Sequence, residues 1–320
     1  MIVPIAACRD SVVPKSSRPN FFIVGAPKCG TTSLAFWLSC HSRVFLSNPK
    51  EPHFFNTDHK RAIEASLREY ESLFSGAPEG VKAIGDASTY YLMSDRARAS
   101  IRAYSPNANI IACIREPVDL AFSLYLQKRS EGLERAASFE QAWRCRHQRA
   151  RGTATLMDPR AEPMQLAYHR VAAVGSQICD WRAEFGDESI LVVPLSHIAA
   201  HPELTYRRTL AFLGIEYDGL TEFPKKNPTT ALKKNVFYHL LRHALELKRK
   251  MGTYRSLGIG ARLGQLHQVE IEKPDLSDRL RRELREELSE ECEEVMRLER
   301  LADGQLATFR MSVRGTRGEK

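Results

Sequence analysis

Three short stretches hold residues whose types and spacing suit chemistry. FFIVGAPKCGTTSL, residues 21–34, runs from an apolar segment through a loop into a second apolar-patterned segment. Gly25 and Gly30 have the spacing of a phosphate-binding loop, G-x-x-x-x-G-K-[ST]. Thr31 stands where that loop has its lysine, and Lys28 lies two residues before Gly30. A helix opening here presents free N–H groups and a positive dipole end to an anion, and Thr31, Thr32 and Ser33 add hydroxyls. The second stretch is IIACIREPVDLAFSLYL, residues 110–126. Its apolar run ends in Arg115, where triphosphatases often place a magnesium-binding aspartate. An arginine there suits a phosphate, and Ser123, two helical turns beyond Pro117, is placed to reach the same group. Pairing of Arg115 with a carboxylate such as Asp86 is the competing reading. The third stretch is NPKEPHFFN, residues 48–56, where Lys50, Glu51 and His53 stand beside Phe54 and Phe55. Pro49 and Pro52 are expected to hold it extended. A carboxylate or imidazole in a partly apolar setting can take a proton from a hydroxyl. A surface turn with both phenyl rings packed inward fits these residues equally well.

These groups need a scaffold, and the pattern around them supplies one. Strands are expected at Asn20–Gly25, Val44–Leu46, Val81–Ile84, Asn109–Ile114 and Ser189–Val193, each a short apolar run bounded by turn residues. Helical spacing falls between them at Thr31–Cys40, Arg61–Phe74, Ser94–Tyr104, Val118–Arg129 and Met164–Phe185. The alternation predicts an α/β fold: a P-loop-like central parallel sheet flanked by helices. From Glu203 onward helices should dominate, including Ala231–Lys250 and an amphipathic Ser277–Leu301 rich in i,i+4 charge pairs. We expect a loosely ordered arm over 1–18, one domain over 19–310 and a disordered tail over 311–320. The polar, basic stretch Arg144–Pro163 reads as a loop or lid insertion.

A net charge of +8 favours anionic ligands without choosing among them. Seven dispersed cysteines with no C-x-x-C pair point to free thiols in a reducing, cytoplasmic setting and to no zinc site. No apolar run reaches the length of a membrane span. Interleaved aromatic and basic residues of a nucleic-acid-binding sheet are not found.

Together the three stretches resemble the PAPS-dependent sulfotransferases, in particular bacterial members related to heparan sulfate sulfotransferases. That family's P-K-x-G-T-T loop is matched by Pro27, Lys28, Cys29, Gly30, Thr31 and Thr32. The resemblance implies that this loop, with Ser33, binds the 5′-phosphosulfate, and that Arg115 and Ser123 hold the 3′-phosphate. The family's E-x-H-F-F pattern is met by Glu51, His53, Phe54 and Phe55, which makes Glu51 the expected catalytic base and His53 its alternative or positioner. Lys28 is expected to neutralise the leaving group. GDASTYYL, residues 85–92, resembles an acceptor-lining segment, which adds Asp86 and Ser88 to Lys50, Glu51 and His53 as substrate residues. The late KKNPTTALKK stretch extends the likeness and adds Lys226 as a cofactor contact. Relatives often carry an arginine where Leu120 stands. The implied function is metal-free, in-line transfer of a sulfuryl group from PAPS to a hydroxyl or amine of a glycan, glycolipid or small hydroxyl compound. The alternatives are a P-loop phosphotransferase using Mg-ATP, with Asp86 on the metal, and a non-catalytic nucleotide sensor.

Overall fold

The structure is a computed structural model that describes residues 18–58, 66–153, 155–225, 230–232, 268–270 and 275–315. It divides into two compact units, Met1–Pro224 with Ser277–Lys320, and Lys225–Leu276. In the first unit, β1 (Phe21–Gly25) leads into α1 (Thr31–Ser39), then β2 (Val44–Leu46), α2 (Leu67–Ser72), β3 (Ala83–Asp86) and α3 (Asp95–Tyr104). Next come β4 (Asn109–Ile114), α4 (Pro117–Ser130), α5 (Phe139–Arg144) and α6 (Arg146–Ala150). After a 3-10 turn at Pro163–Leu166 follow α7 (Tyr168–Ala172), α8 (Val174–Phe185), β5 (Ile190–Pro194), α9 (Leu195–Ala200) and α10 (Pro202–Phe212). In the second unit β6 (Thr230–Leu232) pairs antiparallel with β7 (Gln268–Glu270). Two helices of the first unit follow, α11 (Asp278–Glu287) and α12 (Ser289–Gly315).

The five strands of the first unit form one parallel sheet in the order β2-β3-β1-β4-β5. Its centre is apolar because β1 and β4 carry near-continuous apolar runs, buried from Phe21 to Gly25 and from Ile110 to Ile114. Gly85 is required in β3: an added Cβ would lie 2.2 Å from the Phe21 ring. The chain leaves β1 toward β2 and β3 and later crosses to β4 and β5 on the other side. The crevice beyond the carboxyl ends of β1 and β4 is therefore the switch point at which such sheets bind ligands.

Several expectations change. The helical run expected over Met164–Phe185 is broken at Ala167 and Ala173, whose ψ angles of 69° and 50° leave the helical range. The final helix is interrupted at Leu288 and continues to Gly315, five residues into the expected tail. Ala231 and Leu232 lie in β6, not a helix, and residues 233–250 lie outside the described residues. The stretch 144–163 contains α6 and is pinned by Arg149, fully buried and bidentate to Glu134 at 2.7 and 2.8 Å. Tyr168 donates to the same carboxylate at 2.7 Å, so this stretch is part of the packed body.

Candidate active site

Each functional stretch follows the carboxyl end of a neighbouring strand or is tied to one. The loop after β1 is joined to β4 by the Ala26 N–H, which donates to the Cys113 carbonyl at 2.8 Å. Gly30 ends the loop with φ 86°, a left-handed conformation, and acts as the N-cap of α1. No side chain caps α1, and its first turn carries no acidic residue. The Ser33 N–H turns back to the Gly30 carbonyl at 3.0 Å, which leaves the Thr31 and Thr32 N–H groups to an anion that also meets the positive dipole end. Lys28 has φ 64°, a costly conformation for a residue with a Cβ. Cys29 points into the core, where burial pushes its thiol well above the ordinary range against the lowering charges of Arg115 and Lys28. Cys29 is wholly buried, so its thiol is not offered to a ligand. Lys28 lies in the loop after β1 and Arg115 directly after β4, and β1 and β4 are adjacent parallel strands. Thr31 and Ser33 are buried and Thr32 is half-buried.

Arg115 leaves β4 half-buried, with its nearest carboxylate, Asp119 of α4, at 3.9 Å. Asp119 is itself engaged by Arg281 of α11 at 2.5 Å, and Arg285 binds Glu116 at 2.9 Å. Sequence reasoning missed both α11 arginines, since nothing local links them to partners more than 160 residues away. Ser123 is buried on α4, six residues beyond Pro117 and so about 9 Å along the axis. Leu120 is fully buried, where an arginine could not sit without its charge being desolvated.

The Lys50–His53 segment is not extended. Glu51 and His53 have φ 62° and 52°, on either side of Pro52, so the restriction that proline imposes on its predecessor is overridden. Three of the four non-glycine residues with positive φ among the described residues, Lys28, Glu51 and His53, are candidate site residues. Glu51 accepts from Lys50 at 2.8 Å, from His53 Nε2 at 3.2 Å and from Thr89 Oγ1 at 3.3 Å. Burial alone would raise its pKa. The His53 hydrogen bond and the Lys50 charge outweigh that and hold it at about 2.

Beneath this segment lies Asp86 at the end of β3, fully buried, accepting from Ser88 at 2.7 Å, Tyr91 at 2.8 Å and Tyr70 at 3.0 Å. Burial raises its pKa, opposed by those three hydroxyls. Ser88 in turn accepts from the His53 N–H at 3.0 Å, and Tyr91 from the Phe54 N–H at 2.9 Å. Asp86 thus does not pair with Arg115. Neither Asp86 nor Ser88 is exposed, so as they stand both serve the loop rather than an acceptor. With both carboxylate oxygens taken by hydroxyls, Asp86 also offers no open face to a magnesium ion. Thr89 and Tyr91 went unassigned in the sequence, although the run of hydroxyls after β3 in STYY was their signal. Lys226 lies outside the described residues. Among the described residues no helix is long and apolar enough to cross a membrane.

The Sulfotransferase domain profile matches residues 18–297. Human carbohydrate sulfotransferase 15 is 26% identical over 62% of this chain and 44% of its own length. Human heparan sulfate glucosamine 3-O-sulfotransferase 3B1 is 24% identical over 84% of this chain and 60% of its own length. The chain spans less than half of the length of the first curated relatives it matches. The crystal structure of a sulfotransferase from Alicyclobacillus acidocaldarius superposes with a TM-score of 0.58 at 28% identity, covering 76% of this chain and 99% of that one. These likenesses favour a sulfotransferase over the kinase reading, and the family implies PAPS as donor. With a profile spanning its sheet, its loop, α11 and the start of α12, the chain belongs to the Sulfotransferase domain family.

Proposed function

We infer that this chain transfers a sulfuryl group from PAPS to a hydroxyl or amine of an acceptor. The observation that carries this reading is the N-terminus of α1 with no side-chain cap, with Lys28 in the loop leading to it, Arg115 at the end of the adjacent β4 and Glu51 after β2 at the same end of the parallel sheet. The residues present fit the donor. Gly30 in a left-handed conformation lets the main chain wrap an anion, and the cations answer its charge. PAPS supplies the sulfuryl group. Lys28 neutralises the charge that grows on the leaving phosphate, and the N–H groups of α1 bind the neighbouring oxygens. Arg115, with Ser123, binds the 3′-phosphate and selects against ATP. Glu51, ionised at neutral pH, takes the acceptor's proton, and His53 fixes its orientation. Lysine and helix dipole supply the positive charge that magnesium supplies in triphosphatases. Asp86 and Ser88 act by positioning the loop. A carbohydrate acceptor is favoured by the names of two relatives, and a cytoplasmic site by the free cysteines.

Incubation of host lysate with labelled PAPS, with and without the protein, tests the reading and identifies the acceptor by mass spectrometry. Lys28→Ala should lower turnover by about 100-fold or more. Arg115→Ala should weaken PAPS binding by roughly 10- to 100-fold. Transfer at wild-type rates by both variants sinks the proposal. Near-normal turnover by Glu51→Gln would move the base to His53. Tight binding of Mg-ATP without binding of 3′,5′-bisphosphoadenosine in calorimetry would restore the kinase.

A further inference from the structure

A cavity of about 590 Å³ opens between α9, the start of α10 and the second half of α12. That volume suits a small molecule. Its α12 wall is Asp303, Leu306, Ala307, Arg310 and Met311, at the i, i+3, i+4, i+7, i+8 spacing of one helix face. Opposite stand His197, Ala200 and Leu204. His197 is buried and bonded through Nε2 to Asp303 at 2.6 Å, so the one acidic group of the lining is already engaged. Arg310 has no carboxylate partner among the described residues, and Met311 is 69% exposed beside it. The lining is thus mixed: Leu204, Leu306 and Met311 are its large apolar side chains, Ser196 and His201 add polar groups, and Arg310 stands as a cation at the rim.

The position of α9 gives the slot a consequence. Its opposite face rests on the phosphate-binding loop: a Cβ added to Gly30 would lie 2.8 Å from Ile198 Cδ1 and 3.1 Å from Leu195 Cδ1. A ligand pressing on His197 and Ala200 therefore bears on a six-residue helix whose other side touches the N-cap of α1.

We propose that this cavity is an effector site for a single-chain monoanionic amphiphile, its head on Arg310 and its tail along Leu204, Leu306 and Met311, coupled through α9 to the Gly30 loop. The binding half is independent of the transferase reading, and the coupling half is read without nucleotide, so either can fail while sulfuryl transfer stands.

Decanoate is the probe, titrated by calorimetry into the full chain. We expect saturable one-site binding, lost in Ala307→Trp, which fills the slot from an exposed helix position. Arg310→Gln should bind about tenfold more weakly. Should Ala307→Trp disturb α12, Ala200→Trp fills the slot from the other wall and must give the same loss. Hydrogen exchange should slow in peptides covering 195–200 and, across the loop, 25–34 when decanoate is present. Absence of saturable binding, wild-type binding by both tryptophan variants, or unchanged exchange at 25–34 with the site filled would each overturn the proposal.

Discussion

At the scale of single residues, Glu51 poses the sharpest question, because a carboxylate held at about 2 is a weak base. Lys50 and His53 keep it charged and aimed, and proton transfer becomes easier if an arriving acceptor displaces Lys50. The aim itself comes from below, from Asp86 through Ser88 and Tyr91 to the main chain of His53 and Phe54. Asp86→Asn should therefore cost about 1.5–3 kcal/mol of stability, since buried hydroxyls lose a charged acceptor. It should also lower kcat by an order of magnitude or more while leaving 3′,5′-bisphosphoadenosine affinity near wild type. Loss of nucleotide affinity in step with kcat would show that Asp86 does not act through the Glu51 loop. Lys28, Arg115 and Glu51 were legible because each sits at a fixed offset from a glycine, a strand end or a proline. The role of Asp86 was not: its partners Tyr70 and Tyr91 meet it only when α2 and the segment after β3 pack together.

Among elements, the contact of α9 with the phosphate-binding loop is the most exacting. Gly30→Ala would place a methyl 2.8 Å from Ile198 at a backbone φ of 86°. A loss of about 1–3 kcal/mol is expected, with nucleotide binding impaired. In an Ile198→Ala background, which carries its own cavity cost, Gly30→Ala should lose less by the steric part but still lose the conformational part, and no loss at all in urea melts would show the φ angle to be unimportant. The strands were readable because Asn109–Ile114 and Val44–Leu46 are short apolar runs with turn residues on both sides. The breaks at Ala167, Ala173 and Leu288 were not, for alanine and leucine favour helix and carry no stop signal. Packing of the flanking segments decides them.

Across the molecule, two polar clusters, one buried and one at the surface, lie between α4 and α8. Glu134 and Arg149 are both fully buried, and the guanidinium also donates to the Thr155, Leu156 and Leu166 carbonyls. Glu134→Gln leaves a buried charge uncompensated and should lower stability by about 3–5 kcal/mol in denaturant titration. A change within 0.5 kcal/mol would show that water reaches the arginine. The second cluster is His147 against His169, with ring centroids 4.6 Å apart. Burial first, then His147, Arg146 and Arg170, pull the pKa of His169 down to about 4, with Glu287 opposing. Between about 6.5 and 4 the unfolded chain takes up a proton here that the folded chain refuses, so stability falls as pH falls through that window. His169→Asn should flatten Tm against pH between 7 and 4.5, and an unchanged slope would mean that His169 does not set it. Net charge and composition hint at neither cluster, because both depend on which polar groups the fold brings together.

The helix that covers β5 has a bearing on synthesis. α12 packs on β5, on α8 and on α10, yet begins about a hundred residues after β5 ends. At translation rates of roughly 5 to 20 residues per second, the strand ILVVP leaves the ribosome about 5 to 20 seconds before its cover. During that interval the sheet has an open apolar flank. Ribosome-bound chains stalled after β5 has cleared the exit tunnel but before α12 has should therefore recruit holdase chaperones, and released full chains should not.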